Sequence, residues 1–192
     1  MNYLIWEHTV DDRLCSLNPL ENVENAFELS YGVSRIDGFP PDASFRMNPE
    51  YKKAIKLSDA LDNIVFLIVA SKRLKEFFEM EKLINIEYLS VTIFNHKNRI
   101  ASDEYYIVHQ VGTQDCIDQE KSDFDWNIIN PDQISSVDHL VLDESKVDPN
   151  AKLFRAKHLP STIFIRKDLA EKIEATGFTG IRFEDIDSFE KV

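Results

Sequence analysis

Ile68-Val-Ala-Ser-Lys-Arg-Leu-Lys-Glu-Phe-Phe-Glu79 and Ile163-Phe-Ile-Arg-Lys-Asp-Leu-Ala-Glu-Lys-Ile-Glu174 align without a gap at a constant offset of 95 residues. Leu74 falls on Leu169, Phe78 on Ile173 and Leu83 on Phe178, and the register continues to Ile86 with Ile181 and Tyr88 with Phe183. Each copy reads as an apolar strand, an amphipathic helix and an alternating strand. Leu74, Phe77 and Phe78 stand at i, i+3 and i+4, the spacing of one buried helix face. Ser71 and Asp168 are placed as helix caps. Gly177 suits a left-handed helix end, where the first copy has Lys82. Two copies are too few for a solenoid. The expected class is α+β: a mixed or largely antiparallel sheet with two repeated strand–helix–strand units (about 64–94 and 159–187) and their helices packed on it.

Between the copies, Val91–Phe94 and Tyr105–Val111 flank the polar turn Asn95–Asn98 and read as a hairpin. Tyr105, Ile107 and His109 alternate with Tyr106, Val108 and Gln110, so both faces are largely apolar. Gly112-Thr113 breaks the run. An acidic loop follows, Asp115-Cys-Ile-Asp-Gln-Glu-Lys-Ser-Asp-Phe-Asp-Trp126. Val137–Leu142 reads as a further strand, Leu153–Arg155 leads into the second copy, and the charged C-terminus is expected to fray. Residues 1–60 read as a variable region packed on a main body of 61–192. It holds a short strand at Tyr3–Trp6, a weak helix at Glu21–Leu29 and a proline loop at Gly38–Asp42.

The totals narrow the function. The 192 residues are 43% hydrophobic and carry a formal charge of −12, with a pI near 4.8. Nucleic acid and anionic membranes call for a basic footprint, so neither is an expected partner. Such a charge steers association towards a basic protein instead. Cys15 and Cys116 are too few for a disulfide framework. No signal peptide is read, and the apolar run Ile64–Ala70 is far short of a membrane span. The expected location is cytoplasmic.

Several residue patterns bear on chemistry. Pro41-Asp42 with Glu50-Tyr-Lys52 spells the carboxylate–lysine signature of metal-dependent nucleases, but Ser44–Pro49 does not read as the strand that should carry Glu50. His109 and Cys116 could form a base–nucleophile dyad. The alternative is a strand-face histidine and a small buried hydrophobe. The five histidines have no metal-ligand spacing, and Asp115-x-x-Asp118-x-Glu120 lacks the glycine turn of a calcium loop. No phosphate-cradling glycine loop occurs. The reading assigns no catalytic residue, metal or cofactor. Binding fits the acidic loop better: Asp115, Asp118, Glu120, Asp123 and Asp125 can pair with a basic partner, and Phe124 and Trp126 are anchor types.

The order of several segments resembles the Imm11 immunity family, formerly DUF1629, of bacterial polymorphic toxin systems. The segments are Phe66–Phe78, Tyr105–His109, Cys116–Ser122, Ile134–Leu142 and Leu153–Phe183, within Asn63–Asp187. Asp118 and Ser122 occupy the family's Asp and Ser places, and Phe178-Thr-Gly180 its terminal turn. Lys82 departs from the usual glycine after the first helix, and Ile117 replaces leucine. The resemblance implies an immunity protein that neutralises a cognate toxin domain, with no catalytic residue to carry over. Asp118 and Ser122 are expected to satisfy backbone donors at a turn. Two other classes stay open: an enzyme using Cys116 and His109, or a metal, to reverse toxin damage, and an accessory scaffold.

Overall fold

Short apolar and β-branched runs recur along the chain, and a period of 3.6 appears in two short stretches, which gives many strands and two α-helices. The computed structural model describes residues 2–191. Its strands are β1 (Tyr3–His8), β2 (Ser16–Leu17), β3 (Ser44–Arg46), β4 (Ala60–Asn63), β5 (Ile68–Ser71), β6 (Ile86–Phe94), β7 (Ile100–Gln110), β8 (Asp123–Trp126), β9 (Ile134–His139), β10 (Leu153–Ala156), β11 (Leu159–Arg166) and β12 (Ile181–Asp185). Helix α1 (Lys72–Met80) follows β5, and α2 (Lys167–Thr176) follows β11. The class is mixed α+β, dominated by sheet.

The strands form three sheets rather than one. A four-stranded antiparallel sheet runs β10-β11-β1-β12. A six-stranded mixed sheet runs β2-β4-β5-β7-β6-β3, with β2 parallel to β4 and β3 parallel to β6. A separate ribbon pairs β8 with β9. The strands before and after each helix are not neighbours: β7 lies between β5 and β6, and β1 between β11 and β12.

The helices lie in the central core. Leu74 and Phe78 of α1 and Leu169, Ala170 and Ile173 of α2 pack with residues from one face of each large sheet, among them Trp6, Ile68, Val108 and Ile165. On the other face of the six-stranded sheet, Val69, Leu89 and Ile107 are covered by residues 15–47. On the other face of the four-stranded sheet, Ile5 and Phe164 meet the β9 ribbon and the C-terminal segment.

Several local expectations change in the folded chain. Ser71 Oγ accepts from Leu74 N at 3.3 Å and caps α1, but the residue before α2 is Arg166. Asp168 lies inside the first turn and pairs with Arg166 at 2.6 Å, an anion at the positive helix end. Gly177 and Lys82 both have positive φ, +71° and +51°. The weak helix becomes the 3-10 turn Ala26–Tyr31. β1 is not peripheral, because Leu4 and Trp6 face the helices while Tyr3 and Ile5 face the opposite core. The segment expected to fray is docked as far as Lys191: Ile186 and Phe189 are buried, and Lys191 exchanges backbone hydrogen bonds with Val137 at 2.8 and 2.9 Å, while Val192 lies outside the described residues.

Candidate functional site

The acidic segment does not stay a loop. Its second half, Asp123–Trp126, becomes β8 and pairs with β9 through Asp123↔His139, Phe124↔Val137, Asp125↔Ser136 and Trp126↔Ile134. Alternation turns Phe124 towards the core beneath the ribbon and leaves Asp123 and Asp125 exposed. Irregular register between Asp125 and Trp126 breaks the alternation there. Trp126 is 40% exposed. Its ring meets Phe124 edge-on at 5.2 Å and His158 at 5.3 Å.

The first half of the segment is tied down locally. Asp115 pairs with Lys157 at 3.2 Å. Asp118 accepts from the Lys121 backbone N–H at 3.2 Å and from Lys121 Nζ at 2.7 Å. That lysine holds the Asp118 carboxyl below its ordinary range. Ser122 Oγ accepts from Val141 N at 2.9 Å, and the Asp118 carbonyl accepts from Ser122 N at 2.9 Å. Asp118 and Ser122 therefore serve the turn. Asp125 accepts from Ser136 Oγ at 3.1 Å. Glu120, Asp123 and Asp125 have no ion-pair partner among the described residues.

Between β8 and β9 the ribbon turns through Asn127-Ile-Ile-Asn-Pro-Asp-Gln133. The turn is ordered by its own polar groups. Asn127 Oδ1 accepts from Ile129 N at 2.9 Å and from Asn130 N at 3.0 Å, and Asn127 N donates to Gln133 O at 2.8 Å. Yet Ile128 and Ile129 are 99% and 95% exposed. Beside this tip lies an open groove of about 630 Å³, whose lining includes Phe27, Tyr31, Val33 and His158. Gln133 donates to Tyr31 Oη, which joins the tip to the 3-10 turn. The sequence reading missed Ile128, Ile129, Phe27 and Tyr31. Asn127-Ile-Ile-Asn130-Pro131 held a signal, since two adjacent apolar residues between turn formers cannot both be buried by a hairpin.

The other candidates are held apart. His109 is buried on β7, with Nε2 against Val33 O at 2.8 Å, and burial pushes its imidazole down. Cys116 is buried in the core beneath the ribbon, and burial pushes its thiol up to about 12. A nucleophilic cysteine needs the opposite shift. Asp42 and Glu50 sit in exposed turns. A short strand does form between them, β3, but it ends at Arg46, before Glu50. Among the described residues no group of three or more His, Cys, Asp or Glu could hold a metal, and no helix is long and apolar enough to cross a membrane.

The model of the immunity protein family Imm11 matches residues 12–188, so the similarity takes in most of the N-terminal region as well as the helix-bearing body. No curated protein matches the chain.

Proposed function

The chain belongs to the Imm11 immunity protein family, and from that premise we propose that it neutralises a bacterial toxin by binding it directly, without catalysis. The observation that carries this reading is the ribbon tip. Ile128 and Ile129 stand almost fully exposed on a turn fixed by hydrogen bonds, next to Trp126 and an aromatic groove. Exposed apolar side chains grouped in this way favour a protein contact. Aromatic anchors beside it are the residues that become hot spots.

The charges around the tip favour a basic toxin face. Asp123 and Asp125 precede Trp126 along β8, Asp132 lies in the turn, and the chain as a whole carries −12. Such a field speeds encounter with a basic partner and loses its effect as salt rises. Asp115 and Asp118 contribute less, since each already has a lysine partner. No observation favours the enzyme reading, because Cys116 and His109 are both buried and the thiol is held protonated.

Co-expression with a toxin-like reading frame taken from beside this gene tests the proposal. Cells should survive and the two proteins should purify together. Replacing Ile128 and Ile129 with Ser should abolish both results while the variant remains folded. Survival without a complex would overturn direct binding and point to repair of toxin damage.

A further inference from the structure

A second cleft, of about 640 Å³, lies at the end of β1 and shares no lining residue with the groove beside the ribbon. Four carboxylates line it, Glu7, Asp11, Asp12 and Asp62, against one guanidinium, Arg182. That arginine is shared between Glu7 and Glu184 at 3.6 Å each, and Asp11 is held by Arg13 at 2.6 Å. Asp12 and Asp62 have no ion-pair partner among the described residues. The cleft therefore holds an excess of acceptors.

One buried polar atom on β1 adds to the acceptors: His8 Nδ1 is buried without a hydrogen-bond partner and its residue lines the cleft. Trp6 lines the cleft beside it, and its indole N–H, a donor that a guanidinium cannot complete, serves only as a reporter. Burial pushes the His8 imidazole down against the pull of Asp62, which favours the neutral ring with its one acceptor nitrogen. Unpaired buried polar groups are rare, and a polar ligand group or ordered water ordinarily completes them.

The rim is apolar and firmly built. Val10, Tyr51, Ile64 and Phe66 are exposed there. Asn63 closes the loop that carries Ile64 and Phe66, donating to Leu67 O at 2.7 Å and accepting from Leu67 N at 3.0 Å. The fully buried Arg155 donates to Phe66 O at 2.7 Å from beneath.

We infer that this cleft receives an arginine side chain, its guanidinium between Asp62 and Glu7 and its flat face against the exposed ring of Phe66. Five N–H donors suit a site rich in acceptors, and a planar cation stacks on an aromatic wall as an ammonium does not. The site stands on its own geometry. That the arginine belongs to the toxin rests on the immunity reading.

The test uses the full chain labelled with nitrogen-15 and the probe Nα-acetyl-arginine amide. Trp6 and Trp126 are the two tryptophans, so their indole N–H signals report the cleft and the ribbon separately. The probe should shift the Trp6 signal saturably and leave Trp126 unmoved. Binding should weaken about tenfold or more in Asp62→Asn, the scale of one charge-assisted hydrogen bond. Glu7→Gln should weaken it in the same direction. No saturable shift, or an unchanged shift in both variants, would overturn the site. Equal binding of Nα-acetyl-lysine amide would overturn the choice of arginine. A toxin that does not bind the chain would overturn the immunity reading and leave the titration standing. Saturable probe binding with unchanged toxin affinity in Asp62→Asn would overturn only the assignment of the arginine to the toxin.

Discussion

The helix layer and the β8–β9 ribbon treat apolar side chains in opposite ways. The helices bury Leu74, Phe78, Leu169 and Ile173 between the faces of two sheets, whereas the ribbon tip holds Ile128 and Ile129 out in solvent. Both arrangements are well hydrogen-bonded, so the difference is not one of order. It is one of surroundings: the first set is enclosed by the fold, and the second lies on the face that the proposed docking would cover.

The largest expected effect breaks the buried side of this contrast. Phe78 has no exposed surface and packs against Trp6 at 6.2 Å between ring centres. Phe78→Ala should cost about 3–5 kcal/mol in denaturant unfolding. A loss below about 1 kcal/mol would mean that the helix layer does not hold the molecule together.

Next comes the turn after each helix, where the two halves differ. Gly180 has a φ of +82°, and a Cβ there would overlap Ala60 O and the Ser58 side chain. Asn85 occupies the corresponding turn after α1 with a φ of +55°. Gly180→Ala should cost about 1–3 kcal/mol, from strain and overlap together. Asn85→Gly should change stability by less than about 1 kcal/mol. Thermal or urea unfolding of both variants checks the asymmetry.

Acid should weaken the buried regions before it touches the ribbon. Burial holds His8 and His109 below the ordinary histidine value. The unfolded chain takes up protons near pH 6.5, and the folded chain does so only at lower pH. Stability is therefore full above about pH 6.5 and falls as pH drops from there through the folded values. The urea midpoint should decrease between pH 7 and pH 5, and His109→Gln should flatten part of that decrease.

The smallest effect on stability belongs to the tip. Ile128→Ser with Ile129→Ser should leave the unfolding midpoint within about 0.5 kcal/mol of the parent, because nothing is uncovered. The same pair should weaken toxin binding by at least about tenfold if these residues are anchors. A large stability loss would show that the tip packs against the rest of the chain.

Legibility follows the same division. The helices are readable because burial of one face imposes period 3.6 on Leu74, Phe77 and Phe78, and Tyr105–Gln110 is readable as a strand from its aromatic and β-branched residues, since both of its faces are largely buried. The separation into two large sheets was not, since nothing local in Tyr3–His8 says that it inserts between β11 and β12. The ribbon was partly legible. Asp123, Phe124, Asp125 and Trp126 were singled out by residue type, yet read as loop, because only Phe124 reaches the core and the pairing depends on β9. Asp115 and Asp118 carry the same charge, but the lysine partner of Asp115, Lys157, comes from the fold, whereas Lys121 lies three residues after Asp118 in the same segment. The cleft was illegible. Glu7, Asp62 and Arg182 are far apart in sequence and meet only when β1 joins its sheet.

Amide hydrogen exchange of the chain with and without its toxin tests the central claim most directly, because it reads the docking surface without mutating it. Binding should slow exchange in the β8–β9 ribbon, residues 123–139, and in the adjoining turn at 26–31. Protection confined to other surfaces, with the ribbon exchanging as freely as in the unbound chain, would contradict the account.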